Sequence, residues 1–261
     1  MKIYDCFMYN NEDLILEIRL NYLDEYVEKF IIVESKFDHQ GNQKKKFFNI
    51  KKFLKFKNKI RYILIEKFPQ NLNCWKRENY QRNYITKALN DVDNEDYVMI
   101  SDIDEIPNVN KFKKISYGNY SVFEQKNFFY KFNLINKTIP LWYGSKICKK
   151  KFLKSPQWLR SQKVKKFSLF RFYRTRWNII KNGGWHFSFI MAPKDIQKKI
   201  KSFAHSEFNT ENFTNLRNIK KRVEQNLDIF DRNQIYQRVS LDSSFPEYIK
   251  KNFKRFKLWI L

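Results

Sequence analysis

Tyr97-Val98-Met99-Ile100-Ser101-Asp102-Ile103-Asp104-Glu105 is the stretch from which the rest of the chain can be read. A short unbroken apolar run marks a strand buried on both faces, as strands of parallel sheets are. Here that run ends directly in carboxylates. Toward the N-terminus, Phe30-Ile31-Ile32-Val33 repeats the arrangement and ends at Glu34-Ser35. Residues 3–8 and 61–65 read as two further strands. Between the strands, residues 11–23 carry Leu14, Ile18 and Tyr22 at helical spacing, with Asn10 or Asn11 placed to cap them. Residues 76–89 read as a second helix. This alternation predicts an α/β fold with a mostly parallel central sheet flanked by helices. Ligands of such sheets bind beyond the carboxyl ends of the strands, where Glu34 and Asp102 fall.

Beyond Glu105 the character changes. Residues 120–135 and 163–174 are aromatic-rich and β-like, and 184–190 reads as a strand. Two helices are expected, over 193–203 with Pro193 at its start and over 213–230. The tail, 248–261, mixes Phe253, Phe256, Trp259 and Ile260 with Lys250, Lys251, Lys254, Arg255 and Lys257. With no internal repeat and no linker, the chain divides into one domain over 1–240 and a basic, aromatic C-terminal extension over 241–261.

A hydrophobic content of 43% with 26 Phe and 15 Tyr in 261 residues supplies a real core and excludes a disordered chain. A net charge of +25 favours acidic partners, whether nucleic acid, an anionic membrane surface or phosphorylated small molecules, without choosing among them. No nucleic-acid-binding module is recognisable, so no specific nucleic acid is expected as a partner. Cys6, Cys74 and Cys148 form no CxxC pair and read as reduced thiols. The opening residues lack a secretory-signal pattern, and no apolar run is long enough to span a bilayer. The expected location is cytoplasmic. The tail leaves two roles open, peripheral contact at the inner membrane surface or a helix packed on the domain.

Asp102 and Asp104 come first among residues that carry chemistry. In an extended segment, residues two apart face the same side, roughly 6–7 Å apart along the chain. Two such carboxylates make a hard-oxygen site for Mn²⁺ or Mg²⁺, which would neutralise charge on a leaving diphosphate. The plain alternative is a pair of solvated acids in a turn before Pro107. A metal-dependent phosphohydrolase of nucleotide or sugar diphosphates is the competing activity, but its motif wants Thr or Ser where Ile106 stands. On the helix over 76–89, Arg77 and Arg82 suit phosphate oxygens, although Glu78 and Arg82 are also spaced to pair with each other. Gly183-Gly184 permits close backbone approach and opens a strand in which His186 faces opposite to Trp185 and Phe187. His186 reads either as a ligand of metal or diphosphate or as a hydrogen-bonded core residue. His205 with Glu207 reads as a general-base candidate or a cluster at a helix end.

Taken together, these blocks resemble glycosyltransferase family 17, which includes the enzymes that add the bisecting N-acetylglucosamine to N-glycan cores. The resemblance rests on Asp5-Cys6-Phe7 with Asn11-Glu12, Glu17-Ile18-Arg19-Leu20 and Ile32-Val33-Glu34-Ser35. It continues through Arg77-Glu78-Asn79-Tyr80-Gln81-Arg82, Ile100 to Pro107, Gly183 to Ser188 and Lys201 to Glu207, in order, up to about Arg232. It implies a GT-A-like nucleotide-diphospho-sugar transferase fold, a divalent metal and a UDP-sugar donor, UDP-N-acetylglucosamine first. It also implies inversion at the anomeric carbon with one general base. On this reading Asp102 and Asp104 bind the metal, with His186 as metal ligand or diphosphate contact. Glu34, Arg77 and Arg82 join Asp102 and His186 at the donor, and Glu207, then Asp228, are the base candidates. A cytoplasmic enzyme does not meet a mature N-glycan, so the expected acceptor is a cell-surface glycan or lipid-linked glycan precursor. A basic nucleic-acid-binding protein and an inactive glycan-binding relative are the remaining alternatives.

Overall fold

The computed structural model describes residues 2–164 and 176–261. β1 (Ile3–Met8), β2 (Lys29–Ser35), β3 (Ile60–Ile65) and β4 (Tyr97–Ser101) run parallel in the order β3-β2-β1-β4. Helix α1 (Asp13–Leu23) follows β1, and α2 (Cys74–Asn83) lies between β3 and β4. The strands are apolar without a break because both faces are covered. Phe7, Phe30, Ile32 and Met99 enter one core cluster, while Cys6, Ile31, Val33 and Ile100 enter a second on the opposite face. From β1 the chain moves to β2 on one side, while β4 pairs on the other. The carboxyl ends of β1 and β4 therefore flank the point where strand order reverses, and a crevice opens there.

The second half corrects the expectation of a mostly parallel sheet. β5 (Glu105–Pro107), β6 (Tyr120–Phe129), β7 (Leu134–Asn136), β8 (Leu141–Lys149), β9 (Trp177–Ser188) and β10 (Tyr236–Arg238) join the same sheet. β8 is antiparallel to β4 and β6, β7 to β6 and β10, and β5 to β9, whereas β6 and β9 are parallel. The sheet is therefore mixed. β6, β7 and β8 follow one another through connections of a few residues, too short for the crossover a parallel pair requires.

Several helix expectations also change. α1 begins at Asp13. Asn11 has φ 72° and Glu12 holds the cap position without a side-chain cap bond; its carboxylate instead accepts the Asn10 N–H at 2.7 Å. α2 stops at Asn83 and continues as a 3₁₀ turn over 84–88. After α3 (Pro156–Ser161) and α4 (Pro193–Ser202), the single helix expected over 213–230 is replaced by α5 (Glu211–Thr214) and α6 (Leu216–Glu224). The β-like segment expected over 163–174 falls, from residue 165 onward, outside the described residues. In the tail, α7 (Glu247–Lys251) and α8 (Phe253–Phe256) bury Ile249 and Phe256 completely in the core beneath α1. Tyr248 and Arg255 both reach Glu17, and Asn133 holds Leu261. Residues 241–261 are thus packed onto the body.

β9 shifts register against β6 between Phe123 and Gln125, beside the glycine pair. Gly184 has φ +136°, and a Cβ on it would sit 2.1 Å from the Ile106 carbonyl oxygen. Only glycine lets β9 lie this close to β5, and that contact sets Glu105 opposite His186.

Candidate active site

The local structure around Asp102 depends on Arg19. This side chain is fully buried on α1 and holds Asp5 of β1 through two hydrogen bonds, at 2.7 and 2.5 Å. Its remaining nitrogen donates to the carbonyls of Asp102, Ile103 and Glu105 at 3.3, 3.2 and 2.6 Å. The chain therefore turns at 102–104 instead of staying extended, correcting the reading that put both carboxylates on one side of a strand end. The Glu105 N–H closes the turn onto the Asp102 carbonyl at 3.0 Å. Both aspartates still face a common space, because the turn brings them to the mouth of the crevice.

That space is a cavity of about 410 Å³ at the carboxyl ends of β1 and β4. Asp102 and Asp104 line it together with Arg82 from α2, His186 from β9 and Lys199 from α4. Asp102 is clamped by two guanidiniums, Arg160 at 2.5 Å and Arg82 at 3.3 Å. Burial pushes its pKa up, but Arg160 and then Arg82 outweigh this and hold the carboxyl well below the usual range. Asp104 is looser, with His186 Nε2 at 3.7 Å and Lys199 Nζ at 3.6 Å. For Lys199, burial lowers the pKa, yet Asp104 and Glu12 more than reverse it and the ammonium stays charged.

Arg82 also pairs with Glu78 at 2.6 Å, so the surface pair and the cavity contact coexist in one side chain. Its Nε is buried with no hydrogen-bond partner among the described residues. An orphaned donor of this kind, on a guanidinium beside the cavity, suits a phosphate oxygen. Burial lowers the pKa of His39 on the cavity wall, and its Nε2 lies 2.9 Å from the Gln81 side chain.

The other predicted residues scatter. Glu34 is fully buried and does not line the cavity. Its carboxylate accepts from the Phe47 and Phe48 amides and from the Tyr62 hydroxyl, pinning the segment that follows β2. Arg77 lies behind the wall, donating to the His39 carbonyl at 3.1 Å. Asp228 is buried and occupied by the Phe230 and Arg232 amides and the Arg232 guanidinium. Glu207 is half exposed and outside the lining, but it lies 2.6 Å from Nδ1 of His205, which does line the cavity. His186 projects into the cavity opposite to Trp185 and Phe187, as alternation predicts, with Nδ1 3.1 Å from Asn127 Oδ1.

Sequence reasoning missed Arg160, Glu105 and Trp142. Glu105 is fully buried, accepts the Trp142 indole N–H at 2.7 Å and pairs with Arg160 at 2.7 Å. Trp142 stacks on His186 with centroids 5.1 Å apart. Only Glu105 left a signal, as the third acid after β4. Arg160 and Trp142 lie far along the chain in unremarkable surroundings.

The donor set suits a hard divalent cation that takes one or two carboxylates from the protein and the rest of its shell from phosphate and water. Among the described residues no group of three or more His, Cys, Asp or Glu side chains closes on a metal position. Asp102, Asp104 and His186 are therefore not a complete cage. Asp104 and His186 are the two whose contacts are loose enough to turn to a cation.

Comparison with known families now decides the class. The family model Glycosyltransferase family 17 matches residues 1–257. The chain belongs to that family. No curated protein matches it. A family 17 glycosyltransferase moves a sugar from a donor to a glycan acceptor, and the cavity at the strand ends is where the chain concentrates opposed charges.

Proposed function

We propose that this family 17 glycosyltransferase takes a UDP-sugar, UDP-N-acetylglucosamine by first preference, and transfers the sugar with inversion to a cell-surface or lipid-linked glycan precursor. The observation that carries this is the pairing of Asp102 and Asp104 with Arg82 and Lys199 around one cavity at the strand-order reversal, with Arg160 clamping Asp102 from outside the lining. The order β3-β2-β1-β4 supports a GT-A-like reading of the fold. A phosphohydrolase needs no second substrate site. Exposed Trp142, fixed by Glu105 at the cavity wall, is the kind of flat apolar face on which an acceptor sugar stacks.

In this reading Arg82 and Lys199 take up the diphosphate oxygens, and Asp104 with His186 would hold a divalent cation. Such a cation would supply charge neutralisation of the leaving group. The contact between Glu207 and His205 favours a positioning role for Glu207. Glu207 fixes Nδ1 of His205 and leaves Nε2 of that ring free to accept the proton of the acceptor hydroxyl. The acceptor oxygen then bonds to the anomeric carbon as the bond to the diphosphate breaks. Trp75, Phe203 and Phe208 surround the His205 ring and restrict its tilt.

Two results are expected. UDP or a UDP-sugar with Mn²⁺ should raise the melting temperature of the protein, since a ligand of the native state stabilises by mass action; the best sugar in the panel identifies the donor. If no nucleotide shifts the melt with any metal, the proposal fails. For the base, His205→Gln should lower kcat by about 10²–10⁴-fold, measured as UDP release. An unchanged kcat would remove His205 from the mechanism.

A further inference from the structure

The connection from β7 to β8 and the first two residues of β8 read Lys137-Thr138-Ile139-Pro140-Leu141-Trp142, and every residue of this segment is exposed. Ile139 is 43%, Leu141 48% and Trp142 37% accessible, and neighbouring Ile235 reaches 66%. Ile235 is tied to this loop by its backbone, accepting from the Lys137 amide at 2.7 Å and donating to the Thr138 hydroxyl at 2.9 Å. Four consecutive apolar residues exposed across a turn and the start of a strand, joined by an exposed isoleucine, are not what a solvent-facing edge carries. Ile139 and Trp142 also line the cavity, so the apolar tip forms part of its mouth.

From this geometry we infer that the 137–142 segment with Ile235 docks on the headgroup region of an anionic lipid bilayer and seats the cavity mouth against it. Charge selects this occupant. A chain of net charge +25 repels a second copy of itself and is drawn to an anionic surface. Lys137 and Arg232 flank the apolar tip and are exposed. Few apolar side chains with neighbouring cations suit interfacial binding; no helix among the described residues is long and apolar enough to cross a membrane. The inference deepens the proposed acceptor class, because a glycan carried on a lipid would then reach the cavity from the surface on which the enzyme sits.

The tail is the rival surface. It exposes Phe253 at 46% and Leu258 at 79%, also among lysines. Co-sedimentation with vesicles of phosphatidylglycerol and phosphatidylcholine, against phosphatidylcholine alone, separates the two. The wild type should bind the anionic vesicles. Leu141→Ser with Ile235→Ser should reduce partitioning by about tenfold or more, while Phe253→Ser with Leu258→Ser should leave most of it. Both double variants should keep the wild-type melting temperature and its shift with UDP and Mn²⁺. Loss through the tail variant alone, or equal binding by the loop variant, overturns the inference. So does a concentration-dependent dimer in sedimentation velocity that Ile235→Ser dissolves, since the patch would then serve a second copy. A failed UDP shift with intact vesicle binding would count against the transferase proposal and not against the docking surface.

Discussion

Asp104→Asn is expected to reduce sugar transfer by about 10²–10³-fold, the range seen when one preorganised electrostatic contact to a developing charge is removed. The fold should hardly notice. Asp104 touches His186 and Lys199 only at 3.7 and 3.6 Å, and Lys199 keeps Glu12 at 3.5 Å after the change. At these distances neither contact is a hydrogen bond, so its loss should cost less than loss of the close Asp102 clamp. Asp102 differs, because its carboxylate is clamped by Arg160 and Arg82 and supports them in return. Asp102→Asn should therefore lose stability as well as activity. Rates of UDP release and thermal melts on the same preparations separate the two residues. Activity of Asp104→Asn within threefold of the wild type would remove Asp104 from the donor site.

Arg19→Met should destabilise the protein by about 3–5 kcal/mol, the cost of breaking a buried ion pair from one side. Asp5 and Arg19 are both completely inaccessible, and the substitution leaves the Asp5 carboxylate uncompensated. It also strips the carbonyls of Asp102, Ile103 and Glu105 of their common donor. Two consequences can be told apart. Adding Asp5→Leu to Arg19→Met removes the stranded charge and should recover part of the stability. It cannot restore the turn, so UDP-dependent stabilisation should stay weak in the double variant. Urea midpoints for the single and double variants, followed by the UDP shift, read both effects. An Arg19→Met midpoint close to the wild type would show that the buried pair contributes little.

The sequence by itself determined the parallel half of the sheet. Runs such as Phe30-Ile31-Ile32-Val33 and Tyr97-Val98-Met99-Ile100 have apolar side chains on both faces, and only strands covered on both sides keep such runs. It also located Asp102 and Asp104 beyond β4, and the face of His186, because two-residue alternation and strand ends are local properties. The long-range pairings were not legible. The antiparallel half depends on which hairpins close, the Asp102 turn on a guanidinium reaching from α1, and the clamp on Arg160 from α3, 58 positions along the chain. Glu34, Arg77 and Asp228 carry the same charges in the sequence as cavity residues do, but the structure has already engaged them, Glu34 and Asp228 with backbone amides and neighbouring side chains and Arg77 with the His39 carbonyl. Which charges remain free for a ligand is decided by packing between distant segments, and only the tertiary structure holds that information.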